Sequence, residues 1–396
     1  MTPSLLFVGA GIGGLTLAHA LTPLDVRVSV VERTPELGAA GAGITLGINA
    51  MNVLDRLGIG PRVRAAGEVL DGGEITDERG RPLQLLDFAP FHRYGSAVAL
   101  HRADLQAALL EGLEKHVHLG STVSGLAQDE HGVTVQFGDG REERYDLVVG
   151  ADGVHSAVRR ELFGPLPVRY AGYTSWRFVV PQTAALSRPV EMWGRGRRLG
   201  LVPIGRGRLY GFATLNAPEG MADPICGRAA RLRERFANFG GPARPALEQL
   251  TQDDAVIHTD LREVVVPRWV SGRVALLGDA AHAMTPNLGQ GAGMSIEDAA
   301  VLAEVLGPAS DVRGALGTYE TRRRKRVGRI QAQSRWLGRL GQLQAPLLVA
   351  ARNVLLRATP RQAGQRNLEM VLTGERVVQT QEGQEETARI KNRRLP

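Results

Sequence analysis

Residues 5–32 constrain this chain more than any other stretch. Leu5-Leu6-Phe7-Val8 is a short apolar run, and Gly9-Ala10-Gly11-Ile12-Gly13-Gly14 follows it without a gap. Leu15–Leu21 reads as a helix, Val26–Val31 as a second strand rich in valine, and the stretch ends on Glu32. Strand, glycine turn, helix, strand and acid form a nucleotide-binding unit in which each part has a mechanical reason. Gly9 permits a tight turn, Gly11 lets backbone approach a pyrophosphate, and Gly14 lets the helix pack closely on the sheet. The helix N-terminus supplies unpaired N–H groups and a positive dipole end to the phosphates. Glu32, 18 residues beyond Gly14, stands where a carboxylate accepts from a ribose hydroxyl.

With 396 residues, 43% of them hydrophobic, the chain can bury one large core or two. Its single cysteine, Cys226, excludes an internal disulfide framework and suits a reducing compartment, so a cytoplasmic location is expected. No stretch approaches the about 20 apolar residues of a membrane span, and no secretory leader precedes the first strand. The net charge of +7 comes from arginine, because Lys115, Lys325 and Lys391 are the only lysines. These arginines are scattered, apart from Arg322-Arg323-Arg324-Lys325-Arg326, which reads as the solvated face of a long helix. No nucleic-acid motif accompanies them. The basicity favours anionic small molecules instead.

Further along, Gly38–Gly47 holds too many glycines for a helix and is expected to be a ligand-contacting loop. A helix over Asn49–Leu57, short strands near Gly73–Thr76 and Leu83–Leu86, and a helix from His101 to Leu110 come next. A hairpin near Thr122–Ala127 and Val133–Phe137 leads into the buried strand before Asp152-Gly153. Residues 165–255 are proline-punctuated and strand-rich, with one helix expected over Arg228–Phe239. Gly278-Asp279 then returns to the strand-turn pattern, and helices dominate from Met294 onward, ending in a polar tail. The expected fold class is α/β: a Rossmann-like nucleotide domain with an inserted β-sheet substrate layer and C-terminal helices. Its boundaries fall at 1–73, 96–165 and 256–320 for the nucleotide domain, 74–95 and 166–255 for the substrate layer, and 321–396 for the helical segment and tail.

Gly9–Gly14 with Glu32, then Asp152-Gly153, then Gly278-Asp279 followed by Pro286 and Gly289-Gln290-Gly291, occur in an order that resembles the single-component flavoprotein aromatic hydroxylases, the p-hydroxybenzoate hydroxylase family. The resemblance covers the chain to about residue 330. It implies FAD as the nucleotide, held by Gly9, Gly11, Gly13, Gly14, Glu32, Arg33, Gly43, Thr45, Arg102, Asp152, Asp279, Pro286, Gly289, Gly291, Ala292 and Gly293. Asp298 matches a common family acid and is expected to be a structural hydrogen-bonder. NADH or NADPH is implied as a transiently docking reductant, since no second glycine fingerprint is present.

The implied reaction is hydroxylation of a small aromatic or heteroaromatic substrate by O₂ through a flavin hydroperoxide, by a monomer or homodimer. Tyr173–Phe178, Arg198–Pro203 and Arg208–Phe212 resemble the substrate sheet of the salicylate, hydroxynicotinate and urate hydroxylase branch. Arg198 and Tyr210 are therefore the expected catalytic pair: Arg198 as a bidentate anion binder, Tyr210 as base or anion stabiliser, sharing a strand face with Phe212. If those two face elsewhere, Trp176, Phe178 and Gly41–Gly47 are the alternative wall. An isoprenoid or prenyl-lipid epoxidase or reductase, and a non-catalytic flavin-binding protein, are the rival readings. A flavin halogenase fits poorly, because residues 1–114 contain no lysine.

Overall fold

The computed structural model describes residues 2–38, 42–182, 186–307 and 309–360, together with Glu369, Val371 and Leu372. Ser4–Val8 lies between Arg27–Glu32 and Leu147–Gly150, paired in parallel with both. Leu147–Gly150 pairs in turn with Val274–Leu276, and Val117–Leu119 extends the other edge. Leu5–Val8, Leu147–Gly150 and Val274–Leu276 are buried throughout, as parallel strands covered on both faces must be. The helix Ile12–Leu21 packs on this sheet beside the helix Gly291–Leu306.

The second layer is a seven-stranded sheet ordered Ile257–Val264, Val168–Pro181, Arg208–Asn216, Arg197–Pro203, Val190–Trp193, Gly72–Asp77 and Pro82–Asp87. One face carries Trp176, Phe178, Met192, Leu199, Leu201 and Ala213 against Leu232, Phe236 and Phe239, forming a separate core. The other face looks toward the nucleotide unit. The 30-residue helix Val312–Gly341 and the helix Pro346–Ala358 complete the chain. Among the described residues, no helix is long and apolar enough to cross a membrane.

Three expectations shift. Gly43–Leu46 is a strand, paired antiparallel with Ala97–His101, because β-branched Ile44 and Thr45 meet a partner some 55 residues away. Residues 39–41 of that loop (Ala39, Ala40, Gly41), and the polar tail from residue 373, lie outside the described residues. The helix expected over Arg228–Phe239 stops at Arg235. Phe236 and Phe239 then turn into the core, and Gly240-Gly241-Pro242 starts a second short helix, Ala243–Glu248. The boundary at 256 also moves: Ile257–Val264 hydrogen-bonds along Val168–Pro181, with Trp176 opposite His258, and so belongs to the substrate sheet.

Candidate functional site

Between the two layers lies a cavity of about 990 Å³. The glycine turn forms one end. Gly9 adopts φ +111°, and a Cβ there would strike the Ala151 carbonyl. A Cβ at Gly14 would meet the Gly9 carbonyl, and one at Gly13 the Leu277 side chain. These glycines pull strand, helix and neighbouring loop together. Gly11 differs: a Cβ there meets nothing within 4 Å, since it faces the cavity. Gly289 and Gly291 are open in the same way at the start of Gly291–Leu306. Neither this helix nor Ile12–Leu21 has a side-chain cap, so both offer free first-turn N–H groups.

Glu32 reaches back into the turn, its Oε2 accepting from Ala10 N at 3.0 Å and its Oε1 from Thr34 N at 3.0 Å. Glu32, Arg33, Gly43, Thr45 and Arg102 all border the cavity, as do Pro286 and Ala292. Asp279 also opens onto it. This acid is the first residue of its short helix and caps nothing. Burial pushes its carboxyl up, opposed by the charges of His282 and Arg102. Among the described residues its carboxylate has no hydrogen-bond partner, so it can accept from hydroxyl groups.

Asp152, which also borders the cavity, and Gly293 are engaged within the protein. The Asp152 carboxylate accepts from Ser156 Oγ (2.5 Å), Ala157 N (2.7 Å) and Val158 N (3.1 Å), so it shapes the turn it stands in. Gly293 does not face the cavity. It packs beneath Gln290 and Asn49, where a Cβ would press on both side chains.

The facing sheet brings Arg198, Tyr210 and Phe212 to the cavity. Their rings lie 5.8 Å apart in the tyrosine–phenylalanine pair. Gly200 stands opposite Phe212, where a Cβ would collide with the ring, and Gly43 lies against the Tyr210 ring for the same reason. The fork of Arg198 is already engaged: Nη1 donates to Glu191 Oε1 (2.9 Å) and Nη2 to Asn287 Oδ1 (2.6 Å). Each Nη thus gives one of its two N–H groups to protein, so the expected bidentate grip on a substrate anion has only the remaining N–H groups to use. Through these bonds Arg198 ties the substrate sheet to the loop before Gly291. Burial pushes the Tyr210 hydroxyl up to about 12, only partly offset by the Arg177 charge. It is a phenol at neutral pH, a donor and not a base. Trp176 and Phe178 point into the opposite core and form no part of the cavity wall.

Behind the cavity a buried charge network joins four helices. Arg323 Nε donates to Asp298 Oδ1 (2.7 Å) and its Nη1 to Glu297 Oε2 (2.6 Å). Asp298 also accepts from Gly278 N (3.1 Å) and pairs with His282 Nε2 (2.6 Å). Glu297 takes Asn49 Nδ2 (2.7 Å) and Arg326 Nε (2.8 Å). Asp298 is the structural hydrogen-bonder expected from its motif.

Sequence reasoning did not single out Arg177, Glu191, Thr214 or Asn287, which all border the cavity. Parity held the signal for two of them. Arg177 alternates with Trp176 and Phe178, and Thr214 is two residues from Phe212 on one strand.

Known proteins are similar to this chain in sequence and in fold. Residues 2–334 match the family described as FAD binding domain. The aurachin C monooxygenase/isomerase of Stigmatella aurantiaca is 39% identical over 360 residues, which span 89% of this chain and 94% of that protein. The 2-heptyl-3-hydroxy-4(1H)-quinolone synthase of Pseudomonas aeruginosa is 36% identical over 384 residues, 94% of this chain and 98% of that one. The crystal structure of Klebsiella pneumoniae HpxO complexed with FAD and uric acid superimposes with a TM-score of 0.88 at 31% identity, covering 94% of this chain and 97% of that chain.

Proposed function

The chain belongs to the FAD-binding-domain family of flavoprotein hydroxylases, and from that membership we propose that it hydroxylates a small aromatic or heteroaromatic ring with O₂, taking electrons from NADH or NADPH. The observation that carries this reading is the single cavity shared by a nucleotide cradle and an aromatic-lined sheet face. FAD fits the cradle: Gly11, Gly289 and Gly291 leave open backbone, two uncapped helix starts face anionic groups, and Asp279 awaits hydroxyl donors. When bound, FAD supplies electron transfer and oxygen activation.

The chain's own residues do the rest. Phe212, Val202 and the Tyr210 ring present a flat apolar wall that orients a ring and excludes water. The Tyr210 hydroxyl donates to an oxygen of that ring, stabilising charge as the ring is activated. Arg198 and Asn287 fix the distance between the substrate sheet and the loop Pro286–Leu288. Quinolone and urate rings, named for the relatives, are the first substrates to try. The lone cysteine, Cys226, is a free exposed thiol, which supports a reducing cytoplasmic setting.

The direct test is substrate-stimulated NAD(P)H oxidation by purified yellow protein, with product measured per NAD(P)H consumed. Bound flavin with no aromatic substrate accelerating oxidation would favour the non-catalytic reading. Glu32→Ala tests the cradle. A lost charge-assisted pair is worth about 1.5–3 kcal/mol, so FAD affinity is expected to fall roughly 10- to 150-fold. An unchanged FAD dissociation constant would remove Glu32 from the site.

A further inference from the structure

The cavity face of the substrate sheet is not uniformly apolar. Strand pairing sets Ser175 opposite Thr214 and Thr214 opposite Arg198, in one row across three strands. The next row on the same face places Arg177 opposite Phe212. Arg177 Nη2 donates to Thr259 Oγ1 at 2.7 Å, and Thr259 stands opposite Ser175. The guanidinium therefore swings into the polar row.

Three atoms at this pole are buried and hydrogen-bonded to nothing: Arg177 Nε, Arg198 Nε and Thr214 Oγ1. Such groups cost about 1–3 kcal/mol each when left unpaired, and native folds rarely leave three together. The donor balance gives their use. Two are N–H groups that can only donate, and the third is a hydroxyl that can do so. Glu191 is the acid nearest in register, and it is already paired with Arg198. Arg177 has no acidic partner among the described residues, so its charge is uncompensated.

We propose that Arg177 and Thr214, with Arg198 Nε, form a subsite for the acceptor-rich end of the aromatic substrate: a carboxylate, an enolate or a ring carbonyl oxygen. The remainder of the ring then lies along Phe212, Val202 and Tyr210, whose hydroxyl already senses the Arg177 charge. This deepens the hydroxylase reading and rests on it. The cationic contact to the substrate comes from Arg177, while Arg198, tied to Glu191 and Asn287, contributes through its unpaired Nε–H.

The test titrates FAD-loaded protein with benzoate and with the neutral analogue benzyl alcohol, following perturbation of the flavin absorbance. Wild type is expected to bind benzoate more tightly. Arg177→Met should weaken benzoate about 10- to 100-fold, the range for losing a hydrogen bond to a charged group, and leave benzyl alcohol within about threefold. Arg177→Lys should recover part of the loss, since it restores charge without the planar fork. Thr214→Val, a near-isosteric change that keeps the sheet intact if the arginine variant misfolds, should weaken benzoate several-fold. Absence of a benzoate preference in wild type overturns the proposal, as does an unchanged benzoate dissociation constant in Arg177→Met and Thr214→Val. Protein that holds no FAD after reconstitution would instead overturn the hydroxylase reading beneath it.

Discussion

Arg323→Leu is expected to destabilise the folded protein by about 3–5 kcal/mol, the range for removing one partner of a buried ion pair. Arg323 is fully buried and joins Asp298 and Glu297, both also buried, so the substitution takes one cationic partner from each carboxylate and leaves Asp298 to His282 and Glu297 to Arg326. The sign of the pH dependence follows. Burial alone would push the Asp298 carboxyl up, but His282 and Arg323 outweigh it and hold it below the usual range. Glu297 is held down in the same way by Arg323 and Arg326 against its burial. Such carboxylates contribute stability above the ordinary carboxylate range, and that contribution is lost as pH falls through their lowered values. Without Arg323 each carboxylate loses part of what holds it down against burial, and part of the advantage at neutral pH goes with it. The gap between wild type and variant should therefore be widest near neutrality and shrink as acid protonates both groups. Chemical unfolding at several pH values measures it. A gap below about 1 kcal/mol, or one independent of pH, would show that Arg323 matters only for packing.

Tyr210→Phe should leave FAD content unchanged and reduce product formation by about 10²-fold or more, the lower end of what a positioned proton donor supplies. The ring still packs against Gly43 and Phe212, so the sheet should tolerate the change. NAD(P)H consumption should fall less than product, the difference appearing as H₂O₂, because the ring is still admitted but no longer fixed. With its hydroxyl pushed up to about 12, Tyr210 stays protonated at least to about pH 10. An alkaline limb near neutral pH that vanishes in Tyr210→Phe would overturn the donor role, and so would wild-type coupling in the variant.

The nucleotide cradle was readable in sequence because it is local. Gly9–Gly14 and Glu32 lie within one strand–helix–strand unit; Gly9, Gly13 and Gly14 have steric reasons in the structure, and Gly11 faces the cavity. The substrate wall was readable only in part, because its properties depend on distant partners. Arg198 looks available along its own strand, yet Glu191 and Asn287 close its fork from 7 and 89 residues away. Asp152 reads as a ligand contact in sequence, whereas in the structure its carboxylate also accepts from Ser156, Ala157 and Val158 and so shapes its own turn. Ile257–Val264 has no local mark of which sheet it joins, and only its register with Val168–Pro181 decides. Strand parity was the signal left unused, for it already separates Ser175 and Arg177 from Trp176 and Phe178.

The order of strands also has a consequence for synthesis. Ser4–Val8 needs Leu147–Gly150 beside it, and that strand needs Val274–Leu276, so the cradle floor is completed from three distant parts of the chain. At a translation rate of 5–20 residues per second, Asp279 emerges roughly 15–50 s after Gly9. Throughout that interval Leu147–Gly150 lacks its neighbour Val274–Leu276, and the cavity lacks the Leu277–Asp279 part of its lining. The entire substrate layer is made before the cofactor can be captured. Flavin uptake is thus a late event on the nascent chain, and a yellow protein is one whose far ends have already met.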